Sequence, residues 1–361
     1  MNALIFIAVI VVLIVVHEFG HFVVAKLSGM RVDEFGLGYP PKALTIGKRG
    51  ETEYTLNWLP FGGFVKIYGE DDGEGPRAFS NRPRILQALV LLAGVGMNML
   101  LAYVLITAAL VVGTPRALSV SEVAGAEHAA LTVANVLPGS PAEQAGLVRG
   151  DTIVSAEDES GSWTAADPKS FSAFIAASEG QEVSLIVRQG TEERTLEAVP
   201  ARHLVPGDTD RYALGIEVAT IGTVPLSFAD ALKEGAMLTW ETTVLTAKGL
   251  WHFFYSVFTF SADLSQVAGP VGIAGVVGDA SAQGFGSLLS IVALISINLA
   301  LINLIPIPAL DGGRLLFVII ESVIRRPIRP EFVRTVNALG FVFLILLMVA
   351  VTAHDIFRIV G

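Results

Sequence analysis

Four long apolar runs constrain this chain more than anything else in it. Residues 3–16 read ALIFIAVIVVLIVV, and apolar character continues to Ala25, broken only by His17, Glu18 and His21. Residues 86–112 hold no charge. Residues 285–307 are polar only at Ser287, Ser290, Ser296, Asn298 and Asn303, and residues 338–353 form a shorter fourth run. A helix rising ~1.5 Å per residue needs about 20 apolar residues to cross a bilayer. Each run is therefore read as a membrane-spanning helix, because an isolated segment in lipid must satisfy its own backbone. The first run lacks the basic start and small-residue cleavage site of a signal peptide.

Composition agrees with that reading. Of 361 residues, 52% are hydrophobic and 16% charged, where soluble domains carry about 25% charged residues. The net charge of −10 leaves nucleic-acid binding without electrostatic support. There is no cysteine, so a metal would fall to His, Asp and Glu.

The loops set an orientation. Arg314, Arg325, Arg326, Arg329 and Arg334 outnumber Glu321 and Glu331 between the third and fourth runs, which marks that loop as cytoplasmic. Walking back, residues 28–85 are cytoplasmic, and the acidic block 116–235 and both termini lie outside. The expected divisions are 1–115 (two spans and a hairpin loop), 116–222 (a small domain), 223–284 (an amphipathic helical linker) and 285–361 (two spans). In the first loop, YTLNWLPFGGFVKIY at 54–68 reads as a hairpin turning at Pro60–Gly63, which either dips toward the membrane or packs on a helix as a surface hairpin. In the outer block, Thr132–Leu137, Val183–Arg188 and Glu193–Val199 read as strands, with a turn at Gln189-Gly190. Pro141–Ala145 reads as a short helix stopped by Gly146. Residues 227–258 read as an amphipathic helix, or a broken pair, at the outer membrane surface.

His17 and His21 are four apart, so on a helix both imidazoles can reach one metal. Glu18 lies beside that metal without needing to bind it, placed to take a proton from an attacking water. Ionisable residues inside a span cost ~2.5–3.5 kcal/mol each on insertion scales, so they are functional by default. Two histidines leave a zinc site one protein ligand short. The third run ends NLIPIPALDGG, where two prolines break the helix and Gly312-Gly313 permits a tight turn. Asp311 then falls at the depth of the histidine pair; its competing role is a helix N-cap.

Together HEFGH, Gly94-Val95-Gly96-Met97-Asn98 and NLIPIPALDGG make the chain resemble the site-2 proteases, bacterial intramembrane zinc metalloproteases of the regulator-of-sigma-E protease type. The run PGSPAEQAGLVRGD at 138–151 is similar to a protease-associated PDZ domain, whose loop N–H groups would face a peptide carboxylate. The resemblance implies a polytopic α-helical membrane protein of about four spans, with a membrane-associated β-hairpin on the cytoplasmic side and one extracytoplasmic PDZ-like α+β domain. It implies one Zn2+ held by His17, His21 and Asp311, with Glu18 as catalytic base. It also implies substrate contacts from Asn298, Asn303, Asn98 and the 54–68 hairpin, Phe64 included. Expected partners are single-span membrane substrates, such as anti-sigma factors or remnant signal peptides, a peptide tail at the PDZ-like domain, and the lipid of a bacterial inner membrane. The rivals are a catalytically silent PDZ-bearing adaptor and a metal transporter.

Overall fold

The computed structural model describes residues 2–360 apart from 71, 72, 74, 119–121, 124, 125, 190, 191, 205–209 and 260–268. Gly190, half of the expected turn, lies outside the described residues. Two compact units form: Met1–Val111 with Ser227–Gly361, and Val112–Leu226.

The first unit opens with α1 (Asn2–Leu27), β1 (Val32–Arg49), β2 (Thr52–Ile67) and α2 (Arg84–Val112). Helix α1 ends where Gly29 takes φ +71°, with Met30 N–H donating to Ala25 O and Gly29 N–H to Lys26 O. That paired termination needs a left-handed residue, and glycine supplies it at no steric cost. The chain then enters β1 with Met30 and Val32 buried.

The strands differ from expectation. Their turn is Gly50-Glu51, with Gly50 at φ +63°, and Pro60–Gly63 lies within β2. The halves of β2 do not pair with each other. Residues 34–37 sit between them, paired with 63–66 on one edge and 53–56 on the other. Residues 42–49 pair in turn with 52–57. Gly62, at φ +99°, bends the chain across the inserted strand. Phe35 and Tyr54 pack on Phe22 of α1, with ring centroids 5.5 and 6.3 Å away, which fixes the strands against the helix.

The unit continues with α5 (Phe228–Phe258), α6 (Pro270–Gln283), α7 (Phe285–Leu304), α8 (Asp311–Ile324) and α9 (Pro330–Val360). Helices α1, α2, α7 and α9 are long and apolar enough to cross a membrane. Of the two expected forms, α5 takes that of one continuous helix. It runs antiparallel beside α2: the Tyr103 hydroxyl donates to Leu232 O (3.3 Å), and Thr243 approaches Met99 Sδ (3.8 Å). Thr239 and Thr243 turn their hydroxyls onto carbonyls one turn back, which satisfies them within the helix. Helix α9 outruns the expected 338–353 because its polar residues make tertiary contacts. Asn337 Oδ1 accepts from Ala309 N–H (3.2 Å), and the buried Asp355 carboxylate accepts from Gly272 N–H (2.8 Å) at the start of α6.

The second unit comprises β3 (Pro115–Ala117), β4 (Glu127–Val136), α3 (Pro141–Gln144), β5 (Thr152–Asp158), β6 (Gly161–Trp163), α4 (Pro168–Ala177), β7 (Val183–Gln189), β8 (Glu192–Ala198) and β9 (Ile216–Thr223). Its antiparallel sheet runs β3-β9-β4-β5-β7-β8, with β6 on β5. Alternating Val183, Leu185 and Val187 enter a core with Leu131, Ile153, Trp163 and Phe171. The Asp167 carboxylate caps α4 by accepting from Ser170 and Lys169 N–H, which holds it below the ordinary aspartate range. The cap therefore supports folding at neutral pH and weakens as pH falls through that depressed pKa. Leu185→Ala removes a fully buried side chain. It is expected to cost this unit about 2–5 kcal/mol, read as faster amide exchange across β5 and β7.

The loop at 138–141 does not offer its donors to a peptide carboxylate. Gly139 N–H donates to Glu143 Oε2 (2.6 Å), Ser140 N–H to Leu137 O (3.1 Å) and Ala142 N–H to Leu214 O (3.0 Å). These bonds close α3 onto the turn before β9.

Candidate metal centre

His17 and His21 face one way from α1 because they are one helical turn apart. Both are buried, at 8% and 7% exposure. Their Nε2 atoms lie 3.2 Å apart, and each lies 3.1 Å from Asp311 Oδ2. Among the described residues this is the one such His/Cys/Asp/Glu group able to hold a metal. Tetrahedral zinc with bonds of ~2.0–2.1 Å separates its ligands by ~3.3 Å. The donor set and its spacing therefore fit zinc.

Asp311 arrives by an unwound bridge. Helix α7 stops at Leu304, Pro306 and Pro308 prevent its continuation, and Ala309 takes φ +77°. Asp311 is the first residue of α8, and its side chain turns to the histidines instead of capping the helix. Gly312 and Gly313 serve close approach, not a turn. A Cβ on Gly312 would meet Leu304 O at 2.3 Å, and one on Gly313 would meet Ile307 O at 2.3 Å.

Helix α2 supports the histidines from behind through residues spaced four apart. His21 Nδ1 donates to Val90 O (2.8 Å). Gly94 leaves a hole for the rings: a Cβ there would lie 2.4 Å from His21 Nε2 and 2.6 Å from His17 Cε1. The Asn98 amide lies 3.2 Å from His17 Nδ1. On α1, Gly20 likewise admits Ala93 O, which a Cβ would meet at 2.4 Å. In the sequence this role of the Gly94–Asn98 stretch is marked only by a Gly-x-x-x-Asn spacing inside a span.

Glu18 follows His17 and is partly exposed. Gly63 of β2 passes over it; a Cβ there would lie 3.1 Å from Glu18 Cγ. The neighbouring Phe64 ring lies against Gly36. Asn298 donates to Leu294 O of its own helix (2.9 Å), and Asn303 occupies the last turn of α7. Neither hydrogen-bonds to the three converging residues among those described. Asn98 is fully buried behind His17, away from any surface a substrate backbone could reach. This departs from the substrate contact expected of it.

A family model described as peptidase family M50 matches residues 5–347. A protein of Clostridium perfringens described as a zinc metalloprotease is 35% identical over 346 residues, covering 95% of each chain. A similarly described protein of Nostoc is 34% identical, covering 96% of this chain and 93% of that one. The zinc metalloprotease RasP of Oceanobacillus iheyensis is 28% identical, covering 98% of each. Among solved structures, the PDZ domain of an SdrC-like protein from Listeria monocytogenes matches 26% of this chain and 90% of that domain. Its identity is 17% and its TM-score 0.22.

Proposed function

The chain belongs to peptidase family M50, and from that premise we propose that it cuts transmembrane segments of single-span membrane proteins at His17, His21, Glu18 and Asp311. It is a membrane-embedded zinc metalloprotease. The observation that carries the site assignment is the convergence of His17 Nε2, His21 Nε2 and Asp311 Oδ2 at 3.1–3.2 Å on a membrane-spanning helix.

One zinc ion would be held by those three atoms, where it supplies Lewis acidity to a water and to the scissile carbonyl. Glu18, beside His17 on the same helix, takes the proton of the attacking water and returns it to the leaving amine. A helical substrate must unwind first, and its freed N–H and C=O groups cost several kcal/mol in lipid unless paired again. The outer edge of 63–67 has no strand partner among the described residues. A substrate strand added there would run past Glu18, which lies under Gly63, and in this proposal Phe64, Asn298 and Asn303 contact it.

Sidedness in this proposal follows charge. The arginine-rich 314–334 loop faces the cytoplasm of a bacterial inner membrane, which puts the metal near that side and the sheet unit and both termini outside. Exposed Leu44, Ile46 and Trp58 beside Lys42 and Lys48 support a hairpin tip resting in lipid headgroups. In the PDZ-like unit, residues 216–219 of β9 have no strand partner opposite β4 among the described residues, an edge that suits a peptide tail.

Purified protein in liposomes is expected to cleave a transmembrane peptide within its apolar segment. Cleavage should stop with a zinc chelator and return with zinc. A silent adaptor would cleave nothing under either condition, and that result would overturn the proposal.

A further inference from the structure

The two histidines are supported unequally. His21 Nδ1 donates to a backbone carbonyl, Val90 O, at 2.8 Å. His17 Nδ1 meets a side chain, the Asn98 amide, at 3.2 Å. Asn98 is fully buried, and its Oδ1 has no hydrogen-bond partner among the described residues. Its backbone is pinned from the other side, where the buried Ser296 hydroxyl of α7 donates to Asn98 O at 2.8 Å.

We infer that Asn98 is a positioning residue that holds His17 in the tautomer and ring orientation needed for Nε2 to bind the metal, through an Nδ1–H bond to Asn98 Oδ1. The inference rests on the zinc site proposed above. An imidazole that ligates through Nε2 carries its proton on Nδ1. Two N–H groups cannot face each other, so the amide must present its oxygen to the ring. The oxygen and nitrogen of an amide are interchangeable by a half-turn that leaves its shape unchanged. Either orientation leaves one end of the buried amide unpaired, and the proton on Nδ1 decides which end faces His17.

For His17 a side chain takes this place. Val90, Gly94 and Asn98 lie on one stripe of α2 at successive turns. The hole at Gly94 lets His21 reach the carbonyl of Val90. One turn further on, Asn98 presents its own side chain to His17, and its carbonyl is engaged by Ser296.

The test is zinc affinity by competition with a chelator, measured on full-length protein in detergent and independent of cleavage. Asn98→Leu keeps the volume and removes the acceptor. It is expected to weaken zinc binding by about 10–100-fold, the usual cost of losing a partner behind a metal-bound histidine. Asn98→Asp keeps an acceptor oxygen and is expected to bind clearly more tightly than Asn98→Leu. Thermal unfolding of the metal-free variants checks that α1 and α2 still pack. Wild-type affinity in a folded Asn98→Leu protein would overturn the inference. So would equal losses in the Leu and Asp variants, which would mean that packing alone matters there. A wild-type protein that binds no zinc would instead sink the parent reading.

Discussion

Glu18→Gln is expected to lower cleavage of a transmembrane peptide by ~10²–10⁴-fold, the range that a positioned general base contributes, while zinc content stays at the wild-type level. The separation follows from the geometry. The three converging atoms come from His17, His21 and Asp311, so glutamine at 18 would remove the proposed proton acceptor without removing a proposed ligand. Its shape also suits the narrow space beneath Gly63, where even a Cβ would approach Glu18 to 3.1 Å. The checks are turnover on a defined peptide and bound zinc in the same preparation. Full activity in the glutamine variant would sink the general-base assignment, and loss of zinc would mean that Glu18 also helps hold the metal. A silent but loaded variant should also retain uncut membrane proteins, which could then be identified.

A single methyl group should be as damaging at Gly94. A Cβ there would sit 2.4 Å from His21 Nε2 and 2.6 Å from His17 Cε1, below the 3.0 Å that real Cβ contacts respect. The rings cannot retreat freely, because His21 is tied to Val90 O and His17 lies against Asn98. Metal sites tolerate shifts of only ~0.2 Å in ligand distance. Gly94→Ala is therefore expected to weaken zinc binding by at least ~100-fold, well over 2 kcal/mol, and to abolish cleavage. Gly96→Ala is the control, since a Cβ there meets nothing within 4 Å. Wild-type zinc affinity in the Gly94 variant would show that the rings can move aside.

The parts of this site visible in the sequence were those governed by local periodicity. Two histidines one turn apart need only a helix to share a face, and Asp311 was marked by the prolines that break α7 before it. The Gly94 hole was harder to see, because a glycine in a span has many uses and only the opposing rings reveal this one. The strand pairing differs from the local expectation for a topological reason. Local turn chemistry suggested that the chain on either side of Pro60–Gly63 would pair, but residues 34–37 lie between the two segments. The apolar run 338–353 stops short of Asn337 and Asp355, which the fold carries into α9 because each reaches another segment. The donors at 138–142 looked available only because their partners, Leu137, Glu143 and Leu214, are settled by folding.

The proposed metal ligands are also separated in time. His17 and Asp311 are 294 residues apart, with the whole sheet unit and, among the described residues, helices α2, α5, α6 and α7 translated between them. At ~5–20 residues per second, the histidine pair waits on the order of 15–60 s for its carboxylate. Until then the nascent chain lacks a three-ligand pocket, although Glu18 and the strand edge are already made. Late completion would keep an unfinished protease from cutting its neighbours at the translocon, and truncation before α8 would leave a membrane protein with no enzyme in it.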